Sequence, residues 1–383
     1  MRRRIRVGAA AAAMIVLSAC EEPGKTVRVP APTTTSAAAT TTSDPGQALR
    51  TGKLAEGMRI AEVLALPTAI DPRFVRHGGS DVLTSARLTI VTGHNNPLGA
   101  VAEDHDLLAG FVSQRSNGGK ELAESEWLTH GVMRFPDPDT AIAAADEFAA
   151  VAIANRGMLQ TVEWAKATLP GAPDTRFVQL TDRGRVEGMA FTPVRDYVVF
   201  TKVRTGSAED LAAISRGALE RQRPLLDSFT PTPAAELARL PYDPDGVYEL
   251  SVGDNGSGRG AYRQHAALLF AEDQPAAVAL YPRLGVSAMA IKGSTVYRAT
   301  DAAAASELAG ATATAIARAW DKTSAAAPDD VPGASCASDG AEHANSWVCV
   351  VTAGRYVGEV WAKSQDAAHR DAREQYRVLA AAR

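Results

Sequence analysis

The sequence has few cysteines and no excess of basic residues. Its 383 residues include three cysteines, and 40 Lys and Arg against 44 Asp and Glu give a net charge of -4. A nucleic-acid-binding protein normally carries a basic excess. The charge balance therefore argues against a nucleic-acid partner, while an apolar fraction of 46% is enough to build well-packed cores.

Catalytic motifs are also missing from the sequence. It contains no G-x-S-x-G nucleophile elbow, no Walker phosphate loop and no H-E-x-x-H zinc motif. The glycine-rich stretch GDNGSGRG, residues 253–260, lacks the lysine of a phosphate loop, so a solvated hairpin or an interdomain loop is the favoured interpretation. We therefore expect a protein that is not an enzyme and that uses neither a cofactor nor a metal ion.

The apolar run near the N-terminus is too short to cross a membrane. Val7–Ala19 follows a basic segment and has the length of a secretory signal, whereas a spanning helix needs about 20 apolar residues. The last four residues, Leu17-Ser18-Ala19-Cys20, resemble the lipobox of bacterial lipoproteins. The resemblance implies a signal peptide over residues 1–19 and a diacylglyceryl group on the Cys20 thiol. An ordinary secretory signal that ends near a cysteine is the alternative.

The segment after the signal contains almost no bulky apolar side chains. Residues 20–49 comprise the anchor cysteine and a stretch rich in Thr, Ala, Ser and Pro. Such a composition cannot bury enough surface to offset the entropy of ordering the chain. We predict a disordered tether that holds a folded part clear of the membrane.

The remaining chain contains an internal repeat. Each copy is predicted as a strand, an Ala-rich helix, a strand that continues into a hairpin, and a closing helix. The hairpin VEGMAFTPVRDYVVFTKV of the first copy matches SWVCVVTAGRYVGEVWAK of the second, which aligns Tyr197 with Tyr356. Asp139 and Asp301 are the predicted N-caps of the two Ala-rich helices. Duplication is favoured over a chance likeness between two Ala-rich units.

The repeat predicts an α+β fold of two similar halves, each a mostly antiparallel sheet with helices on one face. The N-terminal domain is expected over residues 50–230 and the C-terminal domain over residues 247–383. Between them, prolines interrupt residues 231–246, which we interpret as a linker.

The two cysteines of the folded part lie close together in the sequence. In an exported chain, Cys336 and Cys349 are expected to form a disulfide. The repeat aligns Cys336 near Leu180 and Cys349 near Met189, so the bridge would join neighbouring strands. A metal site is the alternative, but His343 is the single further ligand nearby.

Several other residues are weak candidates for a site. The stretch EDHDLL clusters Glu103, Asp104, His105 and Asp106, a set that suits a hard cation but is typical of a solvated helical turn. His94 is interpreted as part of a polar turn before a proline. Core packing is the expected role of the tryptophans, which are Trp127, Trp164, Trp320, Trp347 and Trp361.

The lipobox, the Thr- and Pro-rich tether and the paired halves ending in WVCVVTAGRYVGEVWAKSQDAAHRDAREQYRVL together resemble the uncharacterised two-domain lipoproteins of actinobacteria, a family of mycolate-bearing genera. The helix-and-hairpin units also resemble, more loosely, the external sensor domains of some mycobacterial receptor kinases. The family resemblance implies a lipid-anchored protein on the extracytoplasmic face of the cell membrane. It supplies no catalytic residue.

Three functions are compatible with the sequence. The favoured one is a binding or sensing module of the cell envelope, attached to the membrane through Cys20, whose halves enclose a cleft for an envelope ligand. The second is a scaffold for envelope proteins. The third is a hydrolase of envelope polymers that would assemble scattered carboxylates such as Glu103, Asp104 and Glu187.

Overall fold

The computed structural model describes residues 44–92, 97–119, 125–155, 163–182, 184–254, 256–341 and 343–382. The predicted signal peptide, Cys20, most of the predicted tether and His94 lie outside the described residues. Residues 43–383 form one compact unit. Its first helix begins at Pro45, where the side chain of Asp44 accepts a hydrogen bond from the amide of Gly46. The last residues of the predicted tether are therefore helical.

The first half is built around an antiparallel sheet of seven strands within the described residues. In chain order these are β1 Arg76–Val82, β2 Ala109–Ser116, β3 Trp127–Arg134, β4 Ala165–Ala167, β5 Arg176–Asp182, β6 Arg185–Val194 and β7 Tyr197–Thr205. Their order across the sheet is β1-β2-β3-β7-β6-β5-β4. The helices of this half are α1 Pro45–Ala61, α2 Pro67–Ile70, α3 Ser85–Thr92, α4 Leu98–Asp104, α5 Pro138–Ala154 and α6 Ala208–Ser228.

The second half repeats this architecture. Its strands are β8 Gly260–Arg263, β9 Ala288–Ile291, β10 Thr295–Arg298, β11 Thr323–Ala325, β12 Ser335–Ser338, β13 Trp347–Ala353 and β14 Tyr356–Ala362. Their order, β8-β9-β10-β14-β13-β12-β11, is the order of the first sheet with every strand number raised by seven. The helices are α7 Gln264–Leu268, α8 Gln274–Arg283, α9 Ala302–Ala319 and α10 Gln365–Ala381. The α+β class with two similar antiparallel halves is confirmed.

Matching local signals begin and end the equivalent elements. Helix α5 is capped by Asp137 and α9 by Asp301, each accepting from the backbone amide three residues later. The predicted cap Asp139 is instead a first-turn residue, because Pro138 occupies the first helical position and moves the cap outward. In the turns of the β6–β7 and β13–β14 hairpins, Arg195 and Gly354 take the same left-handed conformation, with φ of 55° and 56°.

The helices cover both faces of each sheet, rather than the one face that we expected. In β7, Val198 and Phe200 pack in the cluster that contains α5, whereas Val199 and Val203 pack with α6 on the opposite face. A strand buried on both faces is apolar at nearly every position. In the second half, α9 and α10 likewise belong to separate clusters.

One hydrophobic cluster joins the two halves. It contains residues of α1 and α6 from the first half together with α8, α9 and parts of the second sheet. The predicted linker, residues 231–246, contributes a short 3₁₀ helix, Ala234–Arg239, whose Leu237 is fully buried. The backbone of Leu237 lies so close to Gly52 of α1 that a side chain there would collide with it. The halves therefore share a core.

Candidate functional site

A cavity of about 850 Å³ lies in the second half, on the face of the sheet that α9 covers. Helices α8 and α9 form its sides, and strands β10 and β14 form its floor. The segment Phe270–Asp273 and the glycine loop around Gly256 and Ser257 complete the wall. The first half contributes His77 of β1. The glycine-rich stretch thus lies between the two halves, which agrees with the interdomain loop and not with the solvated hairpin.

Aromatic rings line much of this cavity. Trp320 and Trp361 meet edge to face with centroids 5.4 Å apart, and Tyr281 and Tyr297 do so at 6.2 Å. The tryptophans were expected to pack in the core. These two instead border the cavity, and 38% of the surface of Trp320 is exposed.

Two carboxylates inside the cavity are each held by an indole. Trp361 Nε1 donates to Glu359, and Trp320 Nε1 donates to Glu272 Oε1 at 3.1 Å. Glu359 on β14 is only 8% exposed. Burial raises its pKa to about 7 and also raises the pKa of Glu272. Burial therefore favours the protonated form of both carboxyl groups relative to an ordinary glutamate.

His77 is the contact of the first half with this site. Its Nδ1 lies 3.9 Å from Glu272, but burial lowers the pKa of His77 to about 3. The imidazole is therefore neutral at physiological pH, and the contact is not an ion pair.

A buried arginine of the first half fixes the wall of the cavity. Arg115 on β2 is fully buried and donates to the carbonyl oxygens of Val75 at 2.8 Å and Ala271 at 2.5 Å. It also reaches the carbonyl of Leu269 at 3.4 Å, which in turn accepts from Ser80 Oγ at 2.9 Å. These bonds attach the segment before Glu272 to the first sheet.

The first half fills the equivalent space with phenylalanines. Phe148, Phe191 and Phe200 stack between α5 and the sheet, with neighbouring centroids 5.3 and 5.4 Å apart. Phe191 pairs with Phe200 across the β6–β7 ladder, as Val350 pairs with Glu359 across β13–β14.

The helix partner of this stack is replaced as well. Phe148 lies 11 residues after the cap Asp137, and the residue at the same distance from Asp301 is Thr312, which lines the cavity. Three aromatic rings are thus replaced by a threonine, a valine and a glutamate. The cavity follows from that loss of volume.

Glu272, Glu359 and Tyr281 line the cavity but were not predicted as site residues from the sequence. The alignment of the two hairpins could have indicated Glu359. It makes Glu359 the equivalent of Phe200, so that a glutamate stands at a strand position that faces the core. No comparable pattern marks Glu272, which reaches the cavity from a loop.

The acidic residues that we considered for a hydrolase have separate surroundings, and no contact among the described residues joins them in one site. Glu103 and Asp104 are exposed at the end of α4, and Glu187 on β6 lies 3.7 Å from Arg204. His105 pairs with Glu147 at 2.7 Å. Within the described part of the chain, no group of three metal-ligating side chains is found.

Cys336 and Cys349 form a disulfide, with 4.1 Å between their Cα atoms. They are directly paired in the β12–β13 ladder. Counted from the hairpin turns, the equivalents in the first half are Phe177 and Ala190, which also pair. The alignment with Leu180 was therefore three positions off.

No helix within the described ranges has the length and apolarity needed to span a membrane.

The fold and the site together define a duplicated α+β protein in which one half fills with phenylalanines the space that forms a cavity in the other half. The chain belongs to the DUF7373 family, a domain of unknown function. The N-terminal domain of that family matches residues 43–242 and the C-terminal domain matches residues 238–382. The expectation of an uncharacterised family with two domains is confirmed.

Comparison with curated proteins finds no match. Among solved structures, the extracellular domain of PknH from Mycobacterium tuberculosis is similar, with a TM-score of 0.35 and 15% sequence identity. The similarity covers 45% of this chain and 97% of that one.

Proposed function

We propose that the protein is a membrane-anchored binding or sensing module of the cell envelope, and that its ligand occupies the cavity of the second half. The observation that carries the proposal is the cavity itself. Its volume of about 850 Å³ lies within the range of small-molecule sites. Its lining combines apolar and aromatic side chains with polar groups that could orient a ligand, among them Glu272 and Glu359.

The asymmetry between the halves supports this assignment. A duplicated fold can fill this space, because the first half does so with the stack of Phe148, Phe191 and Phe200. Stability alone favours a filled core over an open one. A second copy that keeps the topology but opens the core is what a binding function requires.

The location is part of the proposal and rests on the N-terminal sequence. The basic segment, the apolar run and the lipobox-like Leu17-Ser18-Ala19-Cys20 favour lipid attachment on the extracytoplasmic face. Two or three acyl chains on Cys20 would make that attachment durable, because a single chain binds a membrane only marginally.

The test is native mass spectrometry of the full mature protein extracted gently from its own envelope. The wild type should carry a dissociable mass beyond the N-terminal lipid. A Thr312→Phe, Glu359→Phe double variant, which restores two rings of the first half, should lose that mass. Thr312→Val is the matched control, because it keeps the volume of the cavity and should retain the ligand. A wild type without any dissociable mass would contradict the proposal and direct the search to protein partners.

A further inference from the structure

The chemistry of the cavity indicates the class of its ligand. Resting on the function proposed above, we propose that the cavity binds an organic cation, with an ammonium or amidinium group at Glu272 and Glu359 and an apolar body against the aromatic walls.

The inner carboxylates, Glu272 and Glu359, have no direct ion-pair partner among the lysines and arginines of the described chain. Among the described residues, no Lys or Arg lies within ion-pair distance of Glu359 or Glu272. In the described part of the chain, the one basic side chain found within 4 Å of Glu272 is His77, at 3.9 Å, and its imidazole is neutral at physiological pH. A buried carboxylate is normally paired with a cation, because burial without one is costly.

Two buried cations close to this region, Arg115 and Lys322, are engaged in other contacts. The guanidinium of Arg115 donates to three backbone carbonyls. Lys322 lies over the ring of Trp361 at 5.8 Å, but its Nζ bonds to Asp339 at 2.7 Å. Arg115 and Arg76 act on the pKa of Glu272 electrostatically, but among the described residues neither forms an ion pair with it, so neither inner carboxylate is directly paired with an arginine or a lysine.

The acids at the rim show the opposite arrangement. Glu307 is paired with Arg283, whose Nη1 lies 3.0 Å from Glu307 Oε2, and Asp273 lies 4.0 Å from Arg318. The difference between paired outer acids and unpaired inner acids is what a site for a cation needs. A ligand cation would complete the inner pair and would be oriented by it.

Aromatic rings lie beside both carboxylates. Trp361 and Trp320 donate their indole N–H groups to the same two carboxylates, so each acid has a tryptophan ring beside it. Indole faces attract organic cations, and the attraction increases where water is excluded. Tyr281 and Tyr297 add a further aromatic surface for an apolar body.

Three probes with the same tail separate the alternatives: octylammonium, octyl sulfate and octyl glucoside. Calorimetric titration of residues 43–383, the compact unit, at pH 8 should show octylammonium binding at least ten-fold more tightly than the other two. Glu359→Gln keeps the shape and an acceptor for Trp361, and it should reduce this preference about ten-fold. Glu374→Gln on α10, outside the cavity, is the matched control and should leave the preference unchanged.

The outcomes are distinct for the two proposals. Octyl glucoside or octyl sulfate binding as tightly as the cation would overturn the cation assignment. If that binding is also lost in Thr312→Phe, Glu359→Phe, the cavity still binds a ligand and the proposed function stands. A cation preference that survives both Glu359→Gln and Glu272→Gln would also overturn the assignment. Absence of binding by all three probes would also overturn the cation assignment. The proposed function is tested separately, by native mass spectrometry.

Discussion

Glu359 occupies in the second half the position that Phe200 occupies in the first. Glu359 lies three positions after Tyr356, the first residue of β14, and Phe200 lies three positions after Tyr197, the first residue of β7. Each pairs with an inward-facing residue on the neighbouring strand, Val350 or Phe191. A single topology thus supports either a closed aromatic core or an open cavity with an acid on its floor.

The first prediction concerns the pH dependence of stability. The pKa of Glu359 is raised in the folded protein from 4.5 to about 7, so between these values the native state holds a proton that the unfolded chain has lost. The free energy of unfolding should therefore fall as the pH rises through this window, by up to about 3 kcal/mol for this group. Urea unfolding of wild type and Glu359→Gln from pH 4 to pH 8 measures the difference.

The variant should lack this component and become the more stable protein at pH 8. The titratable groups that face Glu359 from other elements are Glu272, Tyr281 and Tyr297. Glu272 also has a raised pKa and interacts electrostatically with Glu359, so the difference between the two proteins reports Glu359 together with its coupling to Glu272. Parallel pH profiles for wild type and variant would show that Glu359 does not titrate in this window.

The second prediction reverses the exchange between the halves. Phe200→Glu removes a fully buried ring from the phenylalanine stack and places a carboxyl group in an apolar core. Loss of the ring and burial of the acid together should cost at least about 4 kcal/mol of unfolding free energy. Glu359→Phe, the same exchange in the opposite direction at the equivalent position, should leave stability at pH 8 unchanged or higher. Equal losses in the two variants would argue against the cavity.

The third prediction concerns the attachment of the halves. Arg115→Met keeps much of the apolar volume but leaves the carbonyls of Val75 and Ala271 without their donor, while the carbonyl of Leu269 keeps its bond from Ser80 Oγ. Groups that lose their partners on burial cost about 1–3 kcal/mol each. Denaturant unfolding should therefore show a loss of at least about 2 kcal/mol and weaker binding in the cavity, whose wall Arg115 holds.

The matched control is Arg370→Met on α10. That side chain is 70% exposed and pairs with its neighbour Asp371, so its replacement should change stability by no more than about 0.5 kcal/mol. If Arg115→Met behaves like Arg370→Met, the backbone contacts of Arg115 do not hold the halves together.

The repeat, the hairpins and the disulfide could be predicted from the sequence because each depends on a local pattern. Alternating strands, a turn before Tyr197 or Tyr356 and a close cysteine pair are visible within a few residues. Burial of both faces of each sheet was less evident, because the two cover helices are remote in sequence. The cavity as a whole could not be predicted, because His77, Glu272 and Glu359 come from three distant segments and only Glu359 had a signal in the hairpin alignment.

The fourth prediction concerns the disulfide. Cys336 and Cys349 are 13 residues apart in sequence, and closing a loop of that size restricts the unfolded chain by about 3 kcal/mol. A Cys336→Ser, Cys349→Ser variant should lose about this much unfolding free energy. Reduced wild type should unfold at the same denaturant concentration as the variant. Equal midpoints for variant and oxidised wild type would indicate that the bridge adds no stability.

The last prediction tests the membrane anchor. If Cys20 receives the lipid, Cys20→Ser should prevent both lipid attachment and normal cleavage of the signal, because the thiol is the attachment point. The variant should accumulate as an uncleaved precursor or be released into the medium, and mass spectrometry of the N-terminal peptide should show no acyl chains. Ser18→Ala keeps a small residue before the cysteine and should be processed and retained like the wild type. Unchanged membrane retention and normal cleavage in Cys20→Ser would refute lipid anchoring and favour an ordinary secretory signal.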